Sequence, residues 1–191
     1  MNDHLKMSDI RVIRSRRKGM SIEVNPQGVT VRASYHVSDA EIEKAIREKR
    51  PWIEKSLEKV RRSVEASELA GKLTEEELKE LRARAKRVIP ERVSHYAAIA
   101  GVSYGKITIR TQRKRWGSCS RNGNLSFNCL LMLMPGEVLD SVVVHELCHR
   151  KEMNHSAAFY REVRRVYPDY DRWNAWLKQN GTALLLRLPE K

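Results

Sequence analysis

Two histidines and a glutamate share one predicted helix and have the spacing of a metal site. His145, Glu146 and His149 form the pattern H-E-x-x-H. A four-residue offset on a helix places the two imidazoles about 40° apart and one turn from each other, so both can reach one ion at about 2 Å. Glu146 lies about 100° from His145, where its carboxylate can reach a water molecule held by the ion rather than the ion itself. The pattern predicts metal-assisted hydrolysis, because zinc lowers the pKa of its water to about 7 and polarises the carbonyl under attack.

A catalytic zinc site also needs a third protein ligand and an open fourth position. His155 is the predicted third ligand, although it follows His149 by six residues and would point about 240° away on an unbroken helix. It can bind only if the helix ends first. Asn154 tolerates the left-handed conformation of a helix ending, and Ser156 is a good N-cap for a following helix. We therefore expect the chain to fold back where His155 turns toward the ion.

Other residues near the motif have competing interpretations. His155 could merely cap a helix, in which case Glu162 is the reserve ligand. Glu152 lies about 10 Å along the helix axis from His145, so we expect it behind the ligands or on the surface. Cys148 is expected to be a buried apolar thiol, because a thiolate there would crowd the open coordination site.

Several short motifs accompany this helix in a specific order along the chain. They are Arg16-Arg17-Lys18, Lys49-Arg50-Pro51-Trp52-Ile53, Arg115-Trp116-Gly117-Ser118-Cys119-Ser120, Asn128, Pro135 and Asn154-His155-Ser156 with Phe159. In this order they resemble the YgjP-like metallopeptidase domain family, which is related to the SprT-like and WLM zinc peptidases, and the similarity covers most of the chain. The resemblance implies a mini-zincin-like α+β core with zinc ligands His145, His149 and His155 and with Glu146 as general base. It does not identify a substrate, because the substrates of the family are poorly defined.

The elements that must position this site begin with strands and long helices. Residues 10–33 alternate apolar and polar side chains between Gly and Pro turn signals, which predicts a three-stranded antiparallel meander. Two capping-box patterns then predict two linking helices. The capping pairs are Ser38 with Glu41 and Thr74 with Glu77. The first helix should kink at Pro51 or restart near Arg50, and the second should kink at Pro90.

A second set of strands precedes the metal helix. Ile107 and Ile109 alternate with polar residues, and residues 116–120 and 124–128 flank an Asn122-Gly123 pair that suits the type I′ turn of a hairpin. Helices are predicted after it, at about 136–153, 156–166 and 169–179.

The predicted fold class is α+β. Residues 1–73 are expected to hold the strand meander and helices, and residues 74–191 the zinc-binding, mini-zincin-like catalytic region, with both parts in one compact unit. Trp116 and Ser118, on the strand before the metal helix, could line a substrate cleft in which an extended peptide pairs with the strand edge. The alternative is Trp116 as a core anchor and Ser118 in a tight turn.

The charge of the chain suggests an acidic partner. Its 191 residues include 37 Lys and Arg against 24 Asp and Glu, a formal charge of +13, which favours polyanions or acidic protein surfaces. Seven cations could form a basic surface for nucleic acid, although solvated basic helix faces are common. These cations are Arg82, Arg84, Lys86, Arg87 and Arg113-Lys114-Arg115.

The same composition argues against two other classes of protein. No run approaches about 18 apolar residues, and the opening Met1-Asn2-Asp3-His4 lacks a secretory pattern, so we expect a cytoplasmic protein without membrane contact. Cys119, Cys129 and Cys148 have no C-x-x-C spacing and predict neither a disulfide framework nor a thiolate zinc site.

The predicted function is a Zn²⁺-dependent hydrolase of peptide or protein substrates, a metallopeptidase in which Glu146 activates the metal-bound water. Three alternatives stay open. One is a nucleic-acid binder with a structural zinc, and another is a peptidase recruited to its substrates on DNA or RNA. The third is hydrolysis of a non-peptide bond, because a zinc-bound water does not discriminate between acyl and phosphoryl targets.

Overall fold

The computed structural model describes residues 9–16 and 18–189, and it has the predicted α+β class. These residues form five α-helices and two three-stranded sheets. Two parts of the sequence prediction, the Met1-Asn2-Asp3-His4 opening and Arg17 of the basic motif, lie outside the described residues. Within the described part of the chain, no helix combines the length and the apolar composition needed to cross a membrane.

The chain divides into two compact units, Met1–Ala66 and Ser67–Lys191. The predicted division after residue 73 stays a prediction. Each unit has its own sheet and its own apolar core.

The sheet of the first unit is not the predicted meander. Its strands β1 (Ile10–Ser15), β2 (Met20–Asn25) and β3 (Gly28–Ser34) have the order β1-β3-β2. β3 pairs antiparallel with β2 but parallel with β1, so the antiparallel meander is wrong although the alternation identified all three strands. β3 occupies the centre and is the most buried of the three strands, with Val31 and Ala33 fully buried. Alternation determines which face of a strand is buried, but it does not choose the neighbouring strand.

One long helix, α1 (Asp39–Ala70), packs its apolar stripe on this sheet. Its start is the predicted capping box: Glu41 N donates to Ser38 Oγ (3.2 Å), and Ser38 N donates to Glu41 Oε2 (2.7 Å). The helix is continuous through Pro51, so the predicted restart near Arg50 is wrong. The stripe holds it in place, because buried residues on both sides of the proline share one core with β3. These residues are Ile42, Ile46 and Ile53.

The second unit begins with α2 (Glu75–Ala100), whose two ends follow sequence signals. Thr74 and Glu77 exchange both hydrogen bonds of a capping box, and Gly101 closes the helix in the left-handed conformation with φ 66°. Pro90 lies inside the helix without ending it.

The second sheet carries the predicted hairpin. Its strands β4 (Ile107–Arg110), β5 (Gly117–Cys119) and β6 (Leu125–Asn128) have the order β4-β6-β5, with β5 antiparallel to β6. The turn is not type I′, because that type needs a positive φ at both central residues. Gly123 has φ 79°, but no described residue other than glycine, and so not Asn122, has a positive φ. Gly123 N donates to Ser120 O (2.8 Å), which tightens the connection without a left-handed asparagine.

Three helices complete the unit: α3 (Gly136–Cys148), α4 (Ala157–Val166) and α5 (Tyr170–Leu186). α3 is the central helix, since nearly all of its residues are buried among α2, α5 and the second sheet. It ends at Cys148, five residues before the predicted end. Asn154 does not have the left-handed conformation proposed for that ending.

Candidate metal centre

Three imidazoles converge at the end of α3. His145 lies on the last turn of the helix, His149 is its C-cap residue, and His155 comes from the loop that leads to α4. One potential ligand atom from each ring lies within 4.8 Å of the others. His145 Nε2 and His155 Nε2 are 3.0 Å apart. Among the described residues, this is the one cluster of three or more His, Cys, Asp or Glu side chains with such spacing.

The early end of α3 brings His155 back to the helix. After Cys148 the chain tightens into turns, in which Arg150 N donates to Leu147 O (2.9 Å) and Glu152 N donates to Cys148 O (3.0 Å). Ser156 then caps α4 as predicted, because its Oγ accepts a hydrogen bond from Phe159 N (3.2 Å). His155 therefore stands immediately before a new helix rather than one and a half turns farther along the old one.

Hydrogen bonds to the Nδ1 atoms orient two of the rings. His149 Nδ1 lies 3.0 Å from the backbone oxygen of Glu152. A carbonyl can only accept, so Nδ1 carries the proton and Nε2 keeps its lone pair for a ligand. His145 Nδ1 lies 2.9 Å from the hydroxyl of Tyr170. If Nδ1–H donates to that hydroxyl, the Nε2 lone pair of His145 is also free to bind an ion.

Aromatic rings form the base of the cluster. The fully buried Phe159 ring lies 4.9 Å from the ring of His145, 4.6 Å from that of His149 and 5.0 Å from that of His155, measured between centroids. The Tyr160 ring is nearly parallel to that of His155 at 6.2 Å. This packing restricts the orientations of the His145 and His149 rings, while His155 is exposed.

The imidazoles of His145 and His149 are favoured in the neutral form that binds metals. Burial, and then the neighbouring His149 and His155, lower the pKa of His145 to about 4. Burial also lowers the pKa of His149. Neutral rings do not repel a cation, and they need not lose a second proton before binding it.

Glu146 lies beside the histidines in a nearly closed environment. Its side chain is 6% exposed, and burial raises the pKa of the carboxyl to about 8 although the Arg115 charge opposes the shift. It packs directly on the backbone of Gly117 in β5, where an added Cβ would lie 2.6 Å from Glu146 Oε1. The sequence prediction missed this role of Gly117, whose only sequence signal was its position in the motif Trp116-Gly117-Ser118.

A cavity of about 250 Å³ opens next to Glu146. The residues that line it include His145, Tyr170 and Trp116. The Trp116 indole also packs closely on Gly181, where an added Cβ would lie 3.1 Å from indole atoms. Ser118 pairs with Ser126 in the strand ladder and does not line this cavity.

The remaining predicted residues lie outside the histidine cluster. The Glu162 carboxylate binds Arg165 and Lys151 at 2.8 and 2.7 Å, and these hydrogen bonds lower its pKa to about 2. Glu152 contributes its backbone oxygen rather than its carboxylate. Burial raises the pKa of the Cys148 thiol to about 12, as expected for an apolar thiol. All three cysteines are free.

One family model matches most of the chain. The chain matches the family model described as the YgjP-like metallopeptidase domain over residues 18–80 and 68–180. No curated protein matches it in sequence. The crystal structure of the metallopeptidase zymogen abylysin from Pyrococcus abyssi is similar, with 25% identity and a TM-score of 0.42 over 49% of this chain and 98% of that one. The metallopeptidase zymogen jannalysin from Methanocaldococcus jannaschii is 22% identical, with a TM-score of 0.43 over 49% of this chain and 96% of that one.

Proposed function

Because this chain belongs to the YgjP-like metallopeptidase domain family, we propose that its three histidines hold a zinc ion and that it hydrolyses peptide bonds. The observation that carries the proposal is the convergence of three imidazoles within 4.8 Å beside a buried carboxylate. The proposed ligands are His145, His149 and His155, and the proposed base is Glu146. We assign these residues to a catalytic region that comprises residues 74–191.

The donor set suits zinc. Three neutral imidazoles are ligands that zinc prefers, and three protein ligands leave a fourth position for water or substrate. Glu152 and Tyr170 support two of the rings through Nδ1, which is the usual arrangement behind a histidine ligand. When bound, the ion would supply Lewis acidity: it would polarise the carbonyl under attack and lower the pKa of a water molecule.

Glu146 is the proposed general base. It follows the first ligand directly, and its carboxylate lines the same cavity as His145. In the proposed reaction its carboxylate accepts a proton from the attacking water and returns it to the nitrogen of the leaving amine. Burial between α3 and β5 excludes bulk water and keeps the carboxylate from turning away.

The substrate would lie along β5. This strand is at the edge of the described sheet and begins at Gly117, directly against Glu146. An extended peptide that pairs with such an edge receives backbone hydrogen bonds, while the neighbouring cavity accepts a side chain. We propose Trp116 as a wall of that cavity and Ser118 as part of the pairing edge.

Zinc content and turnover in matched variants test this function. Zinc per chain is measured by elemental analysis, and cleavage of an unstructured protein is followed by mass spectrometry. His155→Ala should lose both zinc and turnover. Glu146→Gln should keep zinc but lose turnover by about 100-fold to 10,000-fold, whereas Glu137→Gln, an exposed change on the same helix, should retain both.

Two outcomes would contradict the proposal. Full turnover in Glu146→Gln would exclude this carboxylate as the base, and wild-type protein that binds no zinc would exclude the site. The buried base beside an open cavity favours catalysis over a purely structural zinc.

Recruitment on nucleic acid stays a prediction: added DNA or RNA should then increase hydrolysis. A non-peptide substrate would be indicated if zinc binds and no peptide is cleaved.

A further inference from the structure

Four cationic side chains and one acidic side chain line a second cavity, of about 730 Å³, that adjoins the first. The cations are Arg82, Arg113, Lys114 and Arg115, and the acid is Glu75. Lys114 and Arg115 also line the smaller cavity that contains His145 and Glu146. These two side chains therefore form a wall that the basic cavity and the proposed catalytic cavity share.

Lys114 and Arg115 are available to a ligand. Both are exposed, and neither takes part in an ion pair among the described residues, although the Arg115 charge does act on the buried Glu146 carboxyl. The other two cations are partly engaged, since Arg113 donates to the backbone oxygen of Pro189 and Arg82 lies 3.8 Å from a Glu75 oxygen. The free positive charge is thus concentrated at the junction of the two cavities.

The backbone of this basic segment is held in place by Asn128. The Asn128 side chain is buried, and its Nδ2 donates to Gln112 O (2.7 Å) and to Arg115 O (3.0 Å). Its Oδ1 accepts from Leu130 N (3.2 Å). Asn128 belongs to the motifs that accompany the metal helix, yet the metal site does not use it. Its role is to fix the segment that carries the two cations next to β5.

We propose that Lys114 and Arg115 select peptide substrates that carry an acidic side chain near the bond to be cleaved. This inference rests on the proposed peptidase function. The two residues directly precede Trp116 and β5, so an extended peptide paired with the edge of β5 continues past them. A Glu or Asp side chain of that peptide meets two unpaired cations at the junction of the cavities.

The surroundings favour an acidic peptide over nucleic acid. The described residues that line the basic cavity include Leu78, Leu188 and Pro189 but no aromatic ring on which a base could stack, and the rings of Trp116 and Tyr170 line the smaller cavity instead. Of the cations on α2, only Arg82 lines this cavity. Arg84 and Arg87 line a different cavity of mixed charge, together with Arg187, Glu77 and Glu80. A local pair of cations suits single carboxylates better than a long phosphate chain.

Matched peptide pairs test the selectivity. A peptide that the enzyme cleaves is varied at each of the four positions on either side of the bond, with Glu and Gln compared at every position. At one position or more, kcat/KM for Glu should exceed that for Gln by about fivefold at low salt, and the ratio should decrease as salt rises. In Lys114→Gln/Arg115→Gln the ratio should fall to about one. A general loss of activity caused by the change near Glu146 cancels in this ratio.

The double variant Lys79→Gln/Lys86→Gln is the matched control. It removes two exposed charges from α2, neither of which lines the two joined cavities. It should keep the wild-type preference. The proposal is overturned if wild-type enzyme prefers Glu at no position, or if Lys114→Gln/Arg115→Gln retains the preference.

A binding experiment separates this proposal from the peptidase function. Zinc-loaded Glu146→Gln is titrated into a labelled peptide of alternating Gly and Glu and into its Gly and Gln counterpart, with fluorescence anisotropy as the readout. If no peptide is ever cleaved, the peptidase proposal fails, while tighter binding of the Glu peptide that requires Lys114 and Arg115 still supports the acidic site. Equal binding of both peptides overturns it. Tight binding of a labelled single-stranded oligonucleotide, with both peptides bound equally, assigns the cations to nucleic acid instead.

Discussion

A single methyl group on β5 should disable the proposed base without touching a metal ligand. In Gly117→Ala the new Cβ would lie 2.6 Å from both Cγ and Oε1 of Glu146 and 2.9 Å from its Cδ. Ordinary contacts between such atoms are about 3.5 Å, so the carboxylate and the strand must separate by about 1 Å. Glu146 is 6% exposed and cannot relieve the contact by moving into solvent. A displacement of about 1 Å in a reacting group costs about 100-fold in turnover.

Steady-state kinetics and zinc analysis together check this expectation. Gly117→Ala should retain its zinc while kcat/KM falls by about 100-fold. In a Glu146→Gln background the same substitution should cause little further loss, because both changes act on one carboxylate. Gly136→Ala is the control, since its Cβ would meet no atom within 4 Å. Wild-type kinetics in Gly117→Ala, or an equal further loss in the Glu146→Gln background, would refute the role given to Gly117.

Three further predictions concern metal affinity, stability and pH. Tyr170→Phe removes the hydroxyl that lies 2.9 Å from His145 Nδ1, so zinc affinity in a chelator competition should fall by about 10-fold to 100-fold, and unchanged affinity would exclude a supporting role. Asp140→Asn weakens the hydrogen bond with Arg92 Nε (2.7 Å) that joins α3 to α2, and urea unfolding should show a loss of about 2 kcal/mol. Glu162 has its pKa lowered to about 2 from 4.5, so its stabilisation is present above about pH 4.5 and disappears as pH falls toward 2. The partners of this carboxylate are half exposed, which limits the effect to about 1 kcal/mol; Glu162→Gln should unfold with a correspondingly weaker pH dependence, and an unchanged dependence would contradict this.

The sequence was most informative where one local pattern determines one local structure. The spacing of His145 and His149 required only a helix, and the helix formed. Ser156 was predicted as an N-cap and accepts the expected hydrogen bond from Phe159 N. Both capping boxes, at the starts of α1 and α2, also formed as predicted. Such signals depend on residues three or four positions apart, so no knowledge of the tertiary structure is needed to interpret them.

Contacts between distant segments of the chain could not be predicted from the sequence. Gly117 is 29 positions from Glu146 along the chain, and nothing in the composition of β5 indicates which side chain needs the missing Cβ. Tyr170 is 25 positions from His145, and nothing in the sequence indicates that its hydroxyl reaches that ring. The parallel pairing of β1 with β3 could not be predicted for the same reason. The alternation of apolar residues shows which face of a strand is buried, but it does not fix the order of the strands in the sheet.

The early end of α3 is a local feature with a tertiary consequence, because it positions two of the three imidazoles. Had the helix continued to residue 153, the 3.6-residue period would have carried His155 to the opposite side. Ending at Cys148 lets the following turns return His155 to within 3.0 Å of His145. The same turns bring the backbone oxygen of Glu152 to His149 Nδ1, where it sets the tautomer that leaves Nε2 free. A change that extended α3 past Cys148 should therefore weaken metal binding through both His149 and His155, although it would remove no ligand.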